Sequence, residues 1–209
     1  MPLFPLPPTL EKDSRLRQQL RGCQQRGSQD VPRTRPEIDR GEKMSEILNA
    51  AEKSLRSGGY EALSMARLAR ELGLAQAAIY WYFPSKDHLF IAALERMLKN
   101  VFAKKPRDGT TLERILWLTD RFQQIFDLRG ALYEQARSSQ VVAEFVAGLD
   151  EAVRAMLTNA LRDHVSADRL PLAVQTFRAT IEGAFLQRLP KKDRHEVITF
   201  AFNLLSHHD

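Results

Sequence analysis

The chain has 209 residues, of which 44% are hydrophobic and 27% charged, with a formal net charge of +5. This is the composition of an ordinary globular protein with one generous domain or two small ones. A single cysteine, Cys23, excludes an intrachain disulfide and suits a reducing cytoplasm, and no apolar run approaches the ~18 residues of a membrane helix. The opening MPLFPLPPTL is broken by four prolines and lacks a basic lead, so it makes a poor signal peptide.

The charge is unevenly spread. Residues 1–37 hold seven Lys/Arg against four Asp/Glu, residues 38–104 hold ten against eight, and residues 105–209 hold fourteen of each. The basic excess therefore lies in the N-terminal half, where a polyanion would bind. Six of the ten prolines fall within the first 36 residues. Residues 1–37 read as a flexible basic arm, with a short helix around Leu10–Leu20. Beyond it, apolar residues recur at helical spacing and no period-2 strand pattern appears, so the expected fold is all-α.

A first helix is expected from about Gly41 to Ser57, with Met44, Ile47, Leu48, Ala51 and Leu55 on one stripe and Gly58-Gly59 as its stop. Ser64 then caps a short second helix, Gly73 makes a tight turn, and a third short helix runs from Ala75 or Gln76 to Tyr82. Ser85 caps a longer fourth helix through Leu89, Ala93 and Met97. Two short helices joined by a glycine turn make a helix-turn-helix.

Four consecutive aromatics, Tyr80, Trp81, Tyr82 and Phe83, end the third helix. Successive helical residues point about 100° apart, so one apolar stripe cannot bury them all. Ile79 and Phe83 align as the core side, whereas Gln76, Ala77 and Tyr80 share another face. Gln pairs with adenine through both amide atoms, and Ala and Tyr meet a thymine methyl, so these three are the candidate base contacts. Tyr82 is placed to reach a phosphate, and Trp81 either wedges between helices or flanks the groove. Lys86 lies in the first turn of the fourth helix, where the helix dipole disfavours a cation; a phosphate docked there reverses that sign. Without an anion the lysine has no evident partner. The competing reading is a packed helical hairpin with surplus aromatics.

The stretch ILNAAEKSLRSGGYEALSMARLARELGLAQAAIYWYFPSKDHLF resembles the tetracycline-repressor family of bacterial transcription regulators. The carriers of the likeness are Ala50 and Ala51, Gly59-Tyr60, Ser64, Leu72-Gly73, Tyr80 to Phe83, and Lys86. The resemblance implies a DNA-binding domain over residues 38–98 and a helical ligand-binding and dimerisation domain over 99–209. It implies a homodimer on a palindromic double-stranded operator, released by an unidentified small-molecule effector. Ser64, Arg67, Tyr82 and Lys86 become the expected phosphate contacts. Two positions depart from the pattern. Ala75 cannot cap the third helix, and Met65-Ala66 stand where some relatives carry a guanine-reading arginine.

In the C-terminal half, helices are expected around Thr111–Leu128, Val141–His164, Leu172–Leu189 and Asp193–Ser206, with ALYEQA as a smaller one. Trp117, Phe122, Phe126, Phe145, Met156 and Phe177 are candidate walls of an apolar pocket. Arg121 and Arg178 are candidates to fix a polar group on its ligand, surface ion pairs being the plainer reading. Gly183, a costly residue within a helix, suits a close helix contact in a dimer made of the last two helices. No nucleophile motif, phosphate loop or metal-ligand spacing appears, so an enzyme is disfavoured and no cofactor or metal is expected. A DNA-bending or scaffold protein without a ligand is the remaining rival.

Overall fold

The computed structural model describes residues 35–104, 106 and 108–206. Among these, the secondary structure is helical throughout: α1 (Arg35–Ala62), α2 (Met65–Glu71), α3 (Gln76–Tyr82), α4 (Lys86–Ala103), α5 (Thr111–Asp127), α6 (Arg129–Gln135), α7 (Gln140–Leu161), α8 (Leu170–Leu186) and α9 (Lys191–Ser206). The helix expected around Leu10–Leu20 lies outside the described residues.

The described residues form two compact units. One contains residues 35–97 together with Leu128–Gly148. Here α1 begins earlier than its apolar stripe suggests, at Arg35. The glycine pair interrupts it as expected, since Gly58 and Gly59 leave helical geometry and Gly59 takes φ 66°; one further turn then reaches Ala62. Met44, Ile47, Leu48, Ala51 and Leu55 are buried along one stripe, and Leu63, Leu68, Ile79, Phe83, Leu89, Phe90 and Leu94 are buried with them.

The turn between α2 and α3 follows from its glycine. Gly73 takes φ 63°, its N–H bonds to the Arg70 carbonyl at 3.2 Å, and the Leu74 N–H reaches back to the Ala69 carbonyl at 2.8 Å. This pair of bonds satisfies the last carbonyls of α2 and requires a left-handed residue between them. A second tie holds α4 to α1. The buried Glu52 accepts from Arg96 Nε at 2.5 Å and from Arg56 at 3.1 Å. Arg96 also donates to Asn49 Oδ1 at 2.7 Å and to the Ser45 carbonyl at 3.2 Å. Pairing of this kind offsets the cost of burying a charged carboxylate.

The other unit contains Leu98–Asp127 and the chain from Leu149 onward. A Thr110–Glu113 capping box starts α5: the Glu113 N–H donates to Thr110 Oγ1 at 3.2 Å and the Thr110 N–H to the Glu113 carboxylate at 2.7 Å. Ile115, Leu157, Leu161, Val174, Phe177, Ile198 and Phe202 interlock as its core. Asp120 on α5 collects the first turn of α9, accepting from Lys191 at 2.7 Å, Arg194 at 3.1 Å and His195 at 2.8 Å. Arg194 is buried over the Phe185 ring, 4.8 Å from its centroid, and also donates to Gln123 at 2.9 Å.

Candidate nucleic-acid interface

The third helix divides its aromatics between two environments. Ile79 and Phe83 are fully buried, and the Phe83 N–H closes the helix on the Ile79 carbonyl at 2.9 Å. Gln76, Ala77 and Tyr80 lie on the exposed side, Tyr80 with 44% of its surface open. Rows three and four apart on a helix share a face, which is why one short segment can carry both an anchor and a polar-aromatic surface. Ala75 precedes the helix with no side-chain bond to its N–H groups.

Trp81 does not wedge between helices. It is 55% exposed, packs edge-on against Tyr82 with centroids 4.8 Å apart, and carries the Arg40 guanidinium 5.0 Å from its ring centroid. The core side of α3 is filled by Ile79 and Phe83, and Trp81, two positions from each, falls on the opposite side of the helix. Of the two placements open to Trp81 from sequence, the structure shows the outward one.

Lys86 begins α4 as expected, and Ser85 caps the helix by accepting the His88 N–H at 3.3 Å. The expectation that Lys86 lacks a partner other than an anion is corrected. Its ammonium sits 3.7 Å from the centre of the Tyr60 ring, whose negative face attracts a cation. The Tyr60 hydroxyl donates to Asp87 at 2.6 Å, and its ring meets Phe90 edge-on at 4.9 Å. Burial, then the bond to Asp87, pushes the Tyr60 hydroxyl well above its ordinary pKa, so it remains a donor. No local spacing rule links a tyrosine at the end of one helix to the start of another so far along the chain, so this contact is not legible from residue spacing.

Ser64 and Arg67 serve the fold at this corner. The Ser64 hydroxyl accepts the Arg67 N–H at 3.3 Å, the expected cap. The Arg67 guanidinium bonds to the Ala62 carbonyl, reaches Ser54 Oγ at 3.4 Å and pairs with Glu71 at 3.7 Å. Its donors thus point largely toward the chain itself. Tyr82 is half-buried at the end of α3.

The residues expected around a ligand stand in several environments. Phe177 is part of the core cluster described above. Phe126 stacks on Phe185, with centroids 3.8 Å apart and planes 9° from parallel, and Phe122 meets Phe102 at 5.5 Å. Arg121 lies 5.2 Å over the Trp117 ring, and Met156 is half-buried. Phe145 is buried but belongs to the unit that holds the residues up to Met97. Arg178 bonds to Asp150 at 2.5 Å and to Glu182 at 2.8 Å. Burial works against its charge, but these two carboxylates outweigh it and hold its pKa above the ordinary value. The plainer reading of Arg178, an ion pair, is the arrangement observed.

A glycine-turned pair of short helices, buried on one side and displaying Gln76, Ala77 and Tyr80 on the other, defines a helix-turn-helix of the DNA-binding kind. Residues 47–93 match the family described as bacterial regulatory proteins, tetR family. The chain is 31% identical over 107 residues to the HTH-type transcriptional repressor KstR of Mycolicibacterium smegmatis, covering 49% of this chain and 52% of that protein. It is 28% identical over 174 residues to the nucleoid occlusion factor SlmA of Mannheimia succiniciproducens, covering 74% of this chain and 79% of that one. The match thus spans about half the length of the KstR repressor and more of SlmA. A transcriptional regulator from Rhodococcus sp. Rha1 shares the fold at a TM-score of 0.65 and 16% identity, over 78% of this chain and 95% of that one. The chain carries the tetR-family helix-turn-helix domain, and its fold is that of the family's regulators.

Proposed function

We propose that this chain is a homodimeric transcriptional repressor that binds a palindromic operator and is released by a small-molecule inducer. The observation that carries DNA binding is the division of α3, with Ile79 and Phe83 buried while Gln76, Ala77 and Tyr80 stand open on one face. Such a face fits the major groove, where a bidentate amide discriminates adenine and apolar atoms meet thymine. Phosphates are held by Lys86 and Tyr82, and by Ser64 and Arg67 where the complex draws them from their present partners. The reading assigns the protein no catalytic step, no cofactor and a place in the cytoplasm. No helix among the described residues is long and apolar enough to cross a membrane.

Dimerisation is supported by apolar side chains that the single chain leaves open on its last two helices. Leu172 and Leu186 on α8 are 68% and 81% exposed, and Phe200 on α9 is 69% exposed, with Val197 and Leu204 beside it at helical spacing. Large apolar side chains left this open on two neighbouring helices call for a partner, and a second copy pairing α8 and α9 against the same helices satisfies the symmetry of an isologous contact. Among the described residues, a Cβ added at Gly183 would meet only the Gln187 amide nitrogen, at 4.0 Å, which leaves room there for a second copy.

Ligand response is supported by the aromatic content of α5, α7 and α8, with Trp117, Arg121, Phe122, Phe126, Phe145, Met156, Phe177 and Arg178 as the residues to test. The likeness to a nucleoid occlusion factor across 74% of the chain favours one second reading, a DNA-bound factor that needs no inducer. A thermal-shift screen of small apolar and amphipathic compounds separates the two. A compound that raises stability and lowers operator affinity supports the inducible repressor. Operator binding unaffected by every stabilising compound supports the second.

A further inference from the structure

α1 reaches back to Arg35, so Arg40 stands on a helix. Its guanidinium lies over Trp81, which is itself more than half exposed and adjacent in α3 to Tyr80. Three other arginines of the same unit are paired with carboxylates: Arg56 and Arg96 with Glu52, and Arg67 with Glu71. Lys43, one turn after Arg40, pairs with Glu46 at 2.6 Å. Among the described residues, Arg40 has the Trp81 ring where those cations have a carboxylate.

A guanidinium stacked on an aromatic face keeps its charge and leaves the N–H donors around its edge free. The ring therefore orders the side chain without consuming its hydrogen-bonding capacity. Immobilising a long side chain on binding costs conformational entropy, and a pre-stacked arginine has met part of that cost before DNA arrives. Trp81 gains in return, because the guanidinium covers a face that would otherwise be open to water.

The geometry points to the Arg40–Trp81 stack as a backbone clamp: Arg40 binds a DNA phosphate at the flank of the groove that α3 enters, with Trp81 as its platform. The inference rests on the DNA-binding reading above and adds α1 to the interface. The clamp contacts phosphate and not bases, so it acts on any duplex and contributes affinity without sequence preference.

The test is affinity against salt concentration for the full chain and its variants. The probes are a mixed-sequence duplex and an operator selected by the wild-type protein from a randomised pool. Arg40→Ala is expected to weaken both probes by a similar factor, about threefold to tenfold, and to flatten the plot of log affinity against log salt by about 0.9. In a Trp81→Leu background the same substitution is expected to cost a smaller factor, because the platform is gone. A salt slope unchanged by Arg40→Ala, with wild type and variant both binding DNA, overturns the clamp and leaves the DNA-binding reading in place. An Arg40→Ala effect undiminished by Trp81→Leu overturns the platform role. A wild-type chain that binds neither probe removes both the clamp and the DNA-binding reading.

Discussion

The Tyr60 hydroxyl donates to the Asp87 carboxylate across 2.6 Å, and through it the last turn of α1 holds the first turn of α4. The same ring supports Lys86. One residue thus orders both the acid that suits the helix dipole and the cation that opposes it. This arrangement separates the two roles of the α4 start experimentally.

Tyr60→Phe keeps the ring under Lys86 and deletes the bond to Asp87. A hydrogen bond to a charged group contributes about 1.5–3 kcal/mol, so denaturant unfolding should show a loss toward the low end of that range at this half-open site. DNA affinity should change little. Lys86→Ala should do the reverse, leaving stability near wild type while weakening operator and random duplex alike and lowering the salt slope by about 0.9.

Glu95 is buried on α4, and its Oε1 has no hydrogen-bond partner among the described residues. Burial pushes its carboxyl up to about 8. The folded chain therefore holds a proton that the unfolded chain releases near 4.5. A raised folded value means stability that is full below the unfolded value and is lost as pH rises through the folded one. Glu95→Gln should leave stability in acid almost unchanged, raise it by roughly 1–3 kcal/mol in mild alkali, and flatten the pH profile between those limits. Thermal melts across that window check it.

Asp120 has the opposite sign. Burial alone would raise its pKa, but the bonds from Lys191, His195 and Arg194 lower it below the ordinary carboxylate value. Its contribution is present above the unfolded value and disappears as pH falls through the folded one. Asp120→Asn should lower the melting temperature at neutral pH, and the gap to wild type should close in acid. The loss at neutral pH includes the buried Arg194, which would lose its charge partner.

Assembly is tested at two positions that the single chain leaves open. Gly183→Leu should be tolerated within one chain, because little lies near an added Cβ and leucine favours a helix by up to about 1 kcal/mol over glycine. Phe200→Asp places a charge on the exposed stripe of α9. Both variants should sediment as folded monomers where the wild type sediments as a dimer. An intact Gly183→Leu dimer would remove that residue from the contact.

Much of this architecture was readable from apolar spacing. The periodic segments of the C-terminal half gave α5, α7, α8 and α9 to within a few residues, because each must bury a stripe such as that containing Val174 and Phe177. Gly73 and Ser64 marked their turn and cap through local chemistry that needs no tertiary information. What could not be read were contacts between distant elements. The Tyr60–Lys86 pair, the Arg40–Trp81 stack and the Asp120 cluster join residues whose spacing carries no signal. The start of α1 was also missed, since Arg35–Arg40 carries no apolar stripe and its helix continues the one that follows.

The central claim is that the open face of α3 reads bases. Its most direct test compares operator and mixed-sequence duplex affinities, at one fixed salt concentration, for wild type, Gln76→Ala and Tyr80→Ala. Loss of a bidentate amide contact costs about 1–3 kcal/mol of discrimination. Gln76→Ala should therefore lower operator affinity by roughly tenfold or more, with mixed-sequence affinity nearly unchanged, and Tyr80→Ala should act in the same direction. Equal losses on the two duplexes, or no loss on either, would contradict base reading by this helix.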